Sequence, residues 1–210
     1  EKPSEETVKT MDMCYVLHAD HGMNASTFSS RVTIATLSDM YSAICSAIGT
    51  LKGPLHGGAN EGVIRMLQEI GSLEAVDGFV ADCLAQKKKI MGIGHRVYKV
   101  LDPRAPHLKN MAQKLSAELG EPKWIQMSDR IAEIMLKEKG LHANVDFYSG
   151  LIYKALNIPV DMFTVMFALG RLPGWIAQWK EMIENKEPIG RPRQIYTGAP
   201  HRPYVPLSKR

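Results

Sequence analysis

The chain has 210 residues, 45% of them apolar and 23% charged, which is enough for a sizeable buried core. Its apolar run at 160–172 is broken by Asp161 and Arg171 and falls short of the ~20 residues a membrane span needs. Aromatic content of 7% with no stacking stripe argues against a nucleic-acid partner despite a net charge of +4. The three widely spaced cysteines, Cys14, Cys45 and Cys83, read as buried thiols in a reducing, cytoplasmic setting, not as a disulfide frame or zinc site.

In chain order, apolar residues recur with helical period almost throughout, and strand-like alternation is nearly absent. Ser4, followed by Glu5 and Glu6, predicts an N-cap and a helix to about residue 18. Ser38-Asp39 opens the next, ending near residue 51 before Gly53-Pro54. Residues 59–70 form an amphipathic helix stopped by Gly71, and Ser72 caps another to about residue 87. Asp102-Pro103 reads as an N-cap with proline at the first helical position, for a helix stopped by Gly120. Helices follow at 122–139, 147–156, 160–169 and 173–186. From Glu187 onward, five prolines in 24 residues predict an extended tail. Nine helices and no convincing strand make the fold all-α. The faces carrying Val8, Met11 and Tyr15, and Phe163, Val165, Met166 and Phe167, need partners to cover them.

Three segments concentrate the chemistry. They are Gly53-Pro54-Leu55-His56-Gly57-Gly58-Ala59-Asn60; Gly92-Ile93-Gly94-His95 running on to Asp102-Pro103-Arg104; and Asn144-Val145-Asp146-Phe147-Tyr148-Ser149-Gly150. Two imidazoles and a carboxylate suffice to abstract a proton beside a carbonyl, with the imidazoles donating hydrogen bonds to developing oxyanions. His56 precedes a helix N-terminus, whose partial positive charge keeps an imidazole neutral; it reads equally as a capping or core histidine. Asp146 lies between apolar neighbours, as a basic, partly desolvated carboxylate would, and on the residues alone is also a helix cap. His95, between Gly94 and Arg96, is a poor core residue. Arg104 sits in a first helical turn, where a cation is mildly unfavourable. His18 and His21, three apart, lack a third ligand, so no metal is expected.

These segments, in this order, resemble citrate synthases of the bacterial type. So do His18-Ala19-Asp20-His21-Gly22-Met23-Asn24-Ala25-Ser26-Thr27 and Arg191-Pro192-Arg193-Gln194-Ile195-Tyr196-Thr197-Gly198. The resemblance implies a two-domain helical homodimer with its active site in a cleft. Residues 1–57 would be part of the large domain, 58–157 the small, moving domain, and 158–210 the rest of the large domain and the tail. It implies condensation of acetyl-CoA with oxaloacetate. His56 would serve the thioester oxygen, Asp146 the methyl proton and His95 the ketone oxygen, while His21, Arg104, Arg171 and Arg191 would hold the dicarboxylate. Arg191 would reach across the dimer, with Arg193 able to take its place. Lys88, Lys89, Ile90, Met91 and Gly92 align with the segment that holds coenzyme A, which enters as substrate; no bound cofactor is implied. Relatives carry a long portion ahead of the His18 motif, so this chain resembles their C-terminal part, and a missing N-terminal chain is an expected partner. Two rivals share the motifs: a 2-methylcitrate synthase using propionyl-CoA, and a non-catalytic half-chain with an assembly role.

Overall fold

A computed structural model describes residues 2–95, 98, 100–120 and 122–210. Among them are nine α-helices: α1 (Glu5–His18), α2 (Ala25–Ile34), α3 (Met40–Leu51), α4 (Ala59–Ile70), α5 (Val76–Ala85), α6 (Ala105–Glu118), α7 (Pro122–Lys139), α8 (Val145–Ala155) and α9 (Phe163–Glu184). Short 3-10 turns lie at Val160–Met162 and Leu207–Lys209. The described extended pairing is one isolated antiparallel bridge, Ile93 with Ala143. The fold is all-α, and no described helix is long and apolar enough to cross a membrane.

Capping chemistry sets several boundaries where the sequence puts them. Ser4 Oγ accepts the Thr7 amide hydrogen at 3.1 Å, and Asp39 Oδ1 accepts that of Ser42 at 3.0 Å. Other boundaries move. α2 has no counterpart in the sequence reading, because its Ser/Thr-rich stretch has weak helix propensity. It forms because Asn24 caps it and because Ser26, Thr27, Ser30 and Ile34 are buried. Ser72 does not cap α5, which starts only at Val76 and stops at Ala85; Lys87, at φ 54°, ends the segment. Asp102 does not cap α6, which begins at Ala105, because its carboxylate is taken by Arg104. The two helices expected at 160–169 and 173–186 are one, with Pro173 inside. A proline there forfeits one hydrogen bond to the preceding turn. Packing offsets that loss, since Phe167, Arg171, Gly174 and Trp175 are all buried along the same helix. Gly174 lies so near the end of α1 that a Cβ there would be 2.0 Å from the Ala19 carbonyl oxygen.

The main core joins Cys14 of α1 to α4–α8 through Ile64, Leu67, Leu108, Leu115, Phe147, Ile152 and Tyr153, and to Phe163 at the head of α9. A smaller cluster, Ala47, Leu51, Phe167 and Trp175, ties α3 to the middle of α9. A third, Ile34, Ala35, Ala43 and Met182, ties α2 and α3 to its end. Phe163 and Phe167 are thus covered within the chain, while Val8 and Val165 of the faces expected to need partners remain exposed. Cys14 and Cys83 are buried free thiols, but Cys45 is exposed. Residues 188–210 are exposed throughout.

Candidate active site

The backbone at the start of the second motif and the residues leading into the third fasten to each other. The Gly94 amide donates to the His142 carbonyl at 2.7 Å and the Asn144 amide to the Gly92 carbonyl at 2.9 Å. Asn144 Nδ2 adds a bond to the Gly94 carbonyl at 2.9 Å. Gly92 is required at this seam: its φ is +75°, and a Cβ would lie 2.6 Å from the Phe147 ring. His95 is thereby held against the start of α8, on one wall of a cleft of about 760 Å³. The ends of α1 and α2 and the middle of α9 form the other walls.

Asn144, not Asp146, caps α8, accepting the amide hydrogens of Asp146 at 3.0 Å and Phe147 at 3.4 Å. The Asp146 carboxylate is therefore left for the cleft. Its Oδ1 is buried and has no hydrogen-bond partner. Burial pushes this acid up to about 6, with Arg104 and Arg171 pulling the other way.

The imidazoles differ in which nitrogen carries hydrogen. The Ser26 backbone N–H points to His56 Nε2 at 3.3 Å. A backbone N–H can only donate, so this nitrogen accepts and the ring's hydrogen sits on Nδ1. Ser26 Oγ lies 2.9 Å from the same nitrogen, with Asn24 Oδ1, at 2.7 Å, competing for its hydroxyl hydrogen. The Tyr98 amide likewise donates to His95 Nδ1 at 3.1 Å, which leaves Nε2 as the N–H donor. Burial, with the nearby Arg171 cation, lowers the His56 pKa. Burial also lowers that of His95, against the Asp102 charge. Both rings are thus neutral donors. His21 meets His95 edge-on, with ring centres 5.3 Å apart, and burial together with Arg104 drives its pKa down to about 4.

Two arginines supply positive charge. Arg171 is buried on α9: its Nε donates to the His18 carbonyl at 2.5 Å, its guanidinium stacks on the Phe167 ring at 4.9 Å, and its Nη1 has no partner. Burial and the neighbouring Arg104 lower its pKa to about 10. Arg104 grips Asp102 through Nε at 3.1 Å and Nη2 at 2.7 Å, and its amide adds a bond of 2.9 Å. Burial alone would raise the Asp102 pKa, but those hydrogen bonds hold it below the usual range. His21, His95 and Asp102 place ligand atoms within 4.8 Å of one another. With Asp102 committed to Arg104, the group is better suited to fixing an arginine than to gripping a cation.

The structure therefore brings together His21, His56, His95, Arg104, Asp146 and Arg171. Arg191 lies apart on the exposed tail, as does Arg193. Of the segment aligned with coenzyme A binding, Lys88, Lys89 and Met91 line a separate groove of about 470 Å³ that also holds Arg65, Glu69 and Phe79. Ile90 and Gly92 are buried, and only their backbone could serve a ligand. Arg96, Val97 and Lys99 of the second motif lie outside the described residues. Sequence reasoning missed Asp102, read as a cap, and Asn144, Ser26 and Phe167. It also gave no role to His18, although its spacing at the C-terminus of α1 puts it on the buried stripe with Thr10 and Cys14.

Residues 1–193 match the family model described as the citrate synthase C-terminal domain. Over its whole length the chain is 50% identical to a citrate synthase of Synechocystis sp. and 52% identical to citrate synthase 2 of Bacillus subtilis, covering 53% and 56% of those proteins. It thus spans about half the length of the curated relatives it matches. Two solved structures superpose on all of it. One is citrate synthase from Thermotoga maritima (TM-score 0.88, 40% identity). The other is a ternary complex of carboxymethyl coenzyme A and oxaloacetate with the Thermoplasma acidophilum enzyme (TM-score 0.90, 38% identity). The chain covers 57% of each.

Proposed function

We propose, from the premise that this chain belongs to the citrate synthase family, that its cleft condenses acetyl-CoA with oxaloacetate to citryl-CoA and hydrolyses this to citrate and CoA. The observation that carries the reading is the unpartnered, buried Oδ1 of Asp146 in the same cleft as two neutral imidazole donors. Asp146 takes a proton from the acetyl methyl group, and its raised pKa makes it a stronger base than an exposed carboxylate. His56 Nδ1–H bonds the thioester oxygen as it becomes an enolate. His95 Nε2–H polarises the oxaloacetate ketone and supports the alkoxide that forms. Arg171, with its unused Nη1, and Arg104 and His21 hold the two carboxylates.

Arg191 completes the dicarboxylate site from a second copy in this reading, since it is exposed and does not line the cleft of its own chain. Exposed Tyr41, Ile48, Val165 and Leu169 on α3 and α9 support a dimer or a further chain covering that side. The division at 57/58 and 157/158 belongs to the same reading, as does seating of the coenzyme A phosphates near Lys88 and Lys89. The test is exchange of acetyl-CoA methyl hydrogens in D₂O, together with citrate formation on adding oxaloacetate. Propionyl-CoA serves as the rival substrate. Absence of both exchange and citrate would overturn the proposal, and a higher kcat/KM for propionyl-CoA would move it to the 2-methylcitrate class.

A further inference from the structure

We infer that His18 holds the water that hydrolyses the thioester intermediate, its Nε2 lone pair accepting one of that water's hydrogens. The inference rests on the function proposed above, and its physical basis is a tautomer.

His18 Nδ1 lies 2.7 Å from the Cys14 carbonyl oxygen. A carbonyl only accepts, so Nδ1 carries the hydrogen. Burial holds the ring neutral, with its pKa near 4. Nε2 is therefore a bare lone pair. It is buried, has no partner, and belongs to a side chain 1% exposed that lines the cleft. An unsatisfied buried acceptor is costly unless a ligand or water fills it. His56 and His95 both offer N–H to the cleft, and the arginines only donate. His18 is the imidazole with the opposite polarity. It touches the Phe167 ring edge-on at 4.9 Å, and His56 touches the same ring at 6.1 Å. The two imidazoles thus share one aromatic neighbour and one cleft.

Condensation calls for donors to oxyanions. Hydrolysis calls for an acceptor to aim water, and Asp146 has already taken the methyl proton. As the water oxygen bonds to the thioester carbonyl carbon, its hydrogen-bonded proton passes to His18 Nε2. The C–S bond then breaks, and the imidazolium returns that proton to the departing sulfur, giving citrate and CoA. A ring this reluctant to stay protonated returns the proton readily.

Two substitutions separate this role from packing. His18→Asn keeps a donor for the Cys14 carbonyl but removes the acceptor at Nε2. His18→Gln places an amide oxygen near Nε2 and loses the short donor. With citryl-CoA supplied directly, His18→Asn should slow hydrolysis about 10²-fold, and His18→Gln, whose amide oxygen aims the water without taking its proton, should be slower than wild type but faster than His18→Asn. A merely structural histidine predicts the reverse order, with Asn the better replacement in rate and in melting temperature, and that result would overturn the inference. So would weaker citryl-CoA binding at an unchanged hydrolytic kcat, which would assign the lone pair to the intermediate's hydroxyl. Nitrogen NMR of the wild-type protein reads the tautomer without any variant: hydrogen on Nε2 overturns the inference whether or not the variants fold. Wild-type protein that hydrolyses citryl-CoA but does not condense refutes the function and leaves His18 supported. Wild-type protein that cannot hydrolyse it refutes His18.

Discussion

Asn144 Oδ1 accepts the amide hydrogen of Asp146 at 3.0 Å, so the residue that caps α8 and the residue that points a carboxylate into the cleft are two residues apart. Had Asp146 capped the helix itself, its oxygens would face backbone N–H groups, which stabilise the anion and weaken a base. The division of labour leaves an acid whose burial raises its pKa.

Asn144 also ties the two site loops together through Nδ2, and substitution can part the two jobs. Asn144→Ala should lose about 1 kcal/mol of stability from the missing cap, and kcat should fall because His95 is no longer held against α8. Asn144→Asp keeps an oxygen for the cap but cannot donate to the Gly94 carbonyl. It should melt closer to wild type than the alanine variant, yet still show lowered kcat. Equal melting points for the two variants, or a wild-type kcat in either, would contradict the double role.

Asp146→Asn should reduce condensation by about 10²–10⁴-fold while the protein stays folded. Its effect on stability should have the opposite sign. Between the ordinary aspartate range near 3.8 and the folded value of about 6, the native state holds a proton that the unfolded chain has released. Stability from this group therefore falls as pH rises through that window and stays low above it. Asparagine removes the cost. The variant should melt above wild type at pH 8, and the gap should close near pH 4. A variant melting lower at pH 8 would refute the assigned strain.

Gly174→Ala tests the packing of α9 on α1. The added methyl would sit 2.0 Å from the Ala19 oxygen, a backbone atom with nowhere to swing. Overpacking of this kind costs about 1–3 kcal/mol or more. Because Ala19 lies between His18 and His21, oxaloacetate affinity should drop along with the melting temperature. An unchanged melting temperature would mean that α1 and α9 are not so closely apposed in solution.

Much of this was legible in the sequence because its signals are local. Ser4, Asp39, Gly71 and Gly140 punctuate helices through their own side chain or lack of one, and the helical period needs no knowledge of neighbours. α2 was missed because its Ser/Thr-rich sequence is helical only when Asn24 caps it and α3 and α9 cover it. Pro173 was read as a break because the packing that holds α9 together across it lies far away in sequence. The histidine and aspartate motifs stood out, but which nitrogen of each ring bears hydrogen depends on the backbone groups of Ser26, Tyr98 and Cys14 that each ring meets, and only the folded chain brings those groups into place. Asp102 looked like a cap because an aspartate before proline usually is one. Its burial against Arg104 is a tertiary fact. The exposed apolar faces were overestimated for the same reason: Phe163 and Phe167 find their cover inside the chain.

Arg171→Lys probes why a buried cation here is an arginine. The guanidinium uses Nε on the His18 carbonyl and stacks on Phe167, leaving Nη1 for an anion. A lysine ammonium cannot do all three at once. Losing one partner of a buried charged pair costs about 2–5 kcal/mol, so oxaloacetate affinity should fall about 30-fold or more. Burial that brings an arginine down to about 10 would also lower a lysine, which starts from a lower ordinary value. Oxaloacetate should therefore stabilise the lysine variant less and less as pH rises above neutrality, while wild-type stabilisation stays flat. The melting-temperature rise at saturating oxaloacetate, followed from pH 6 to 9, reads both effects. A lysine variant matching wild type across that range would remove Arg171 from the dicarboxylate site.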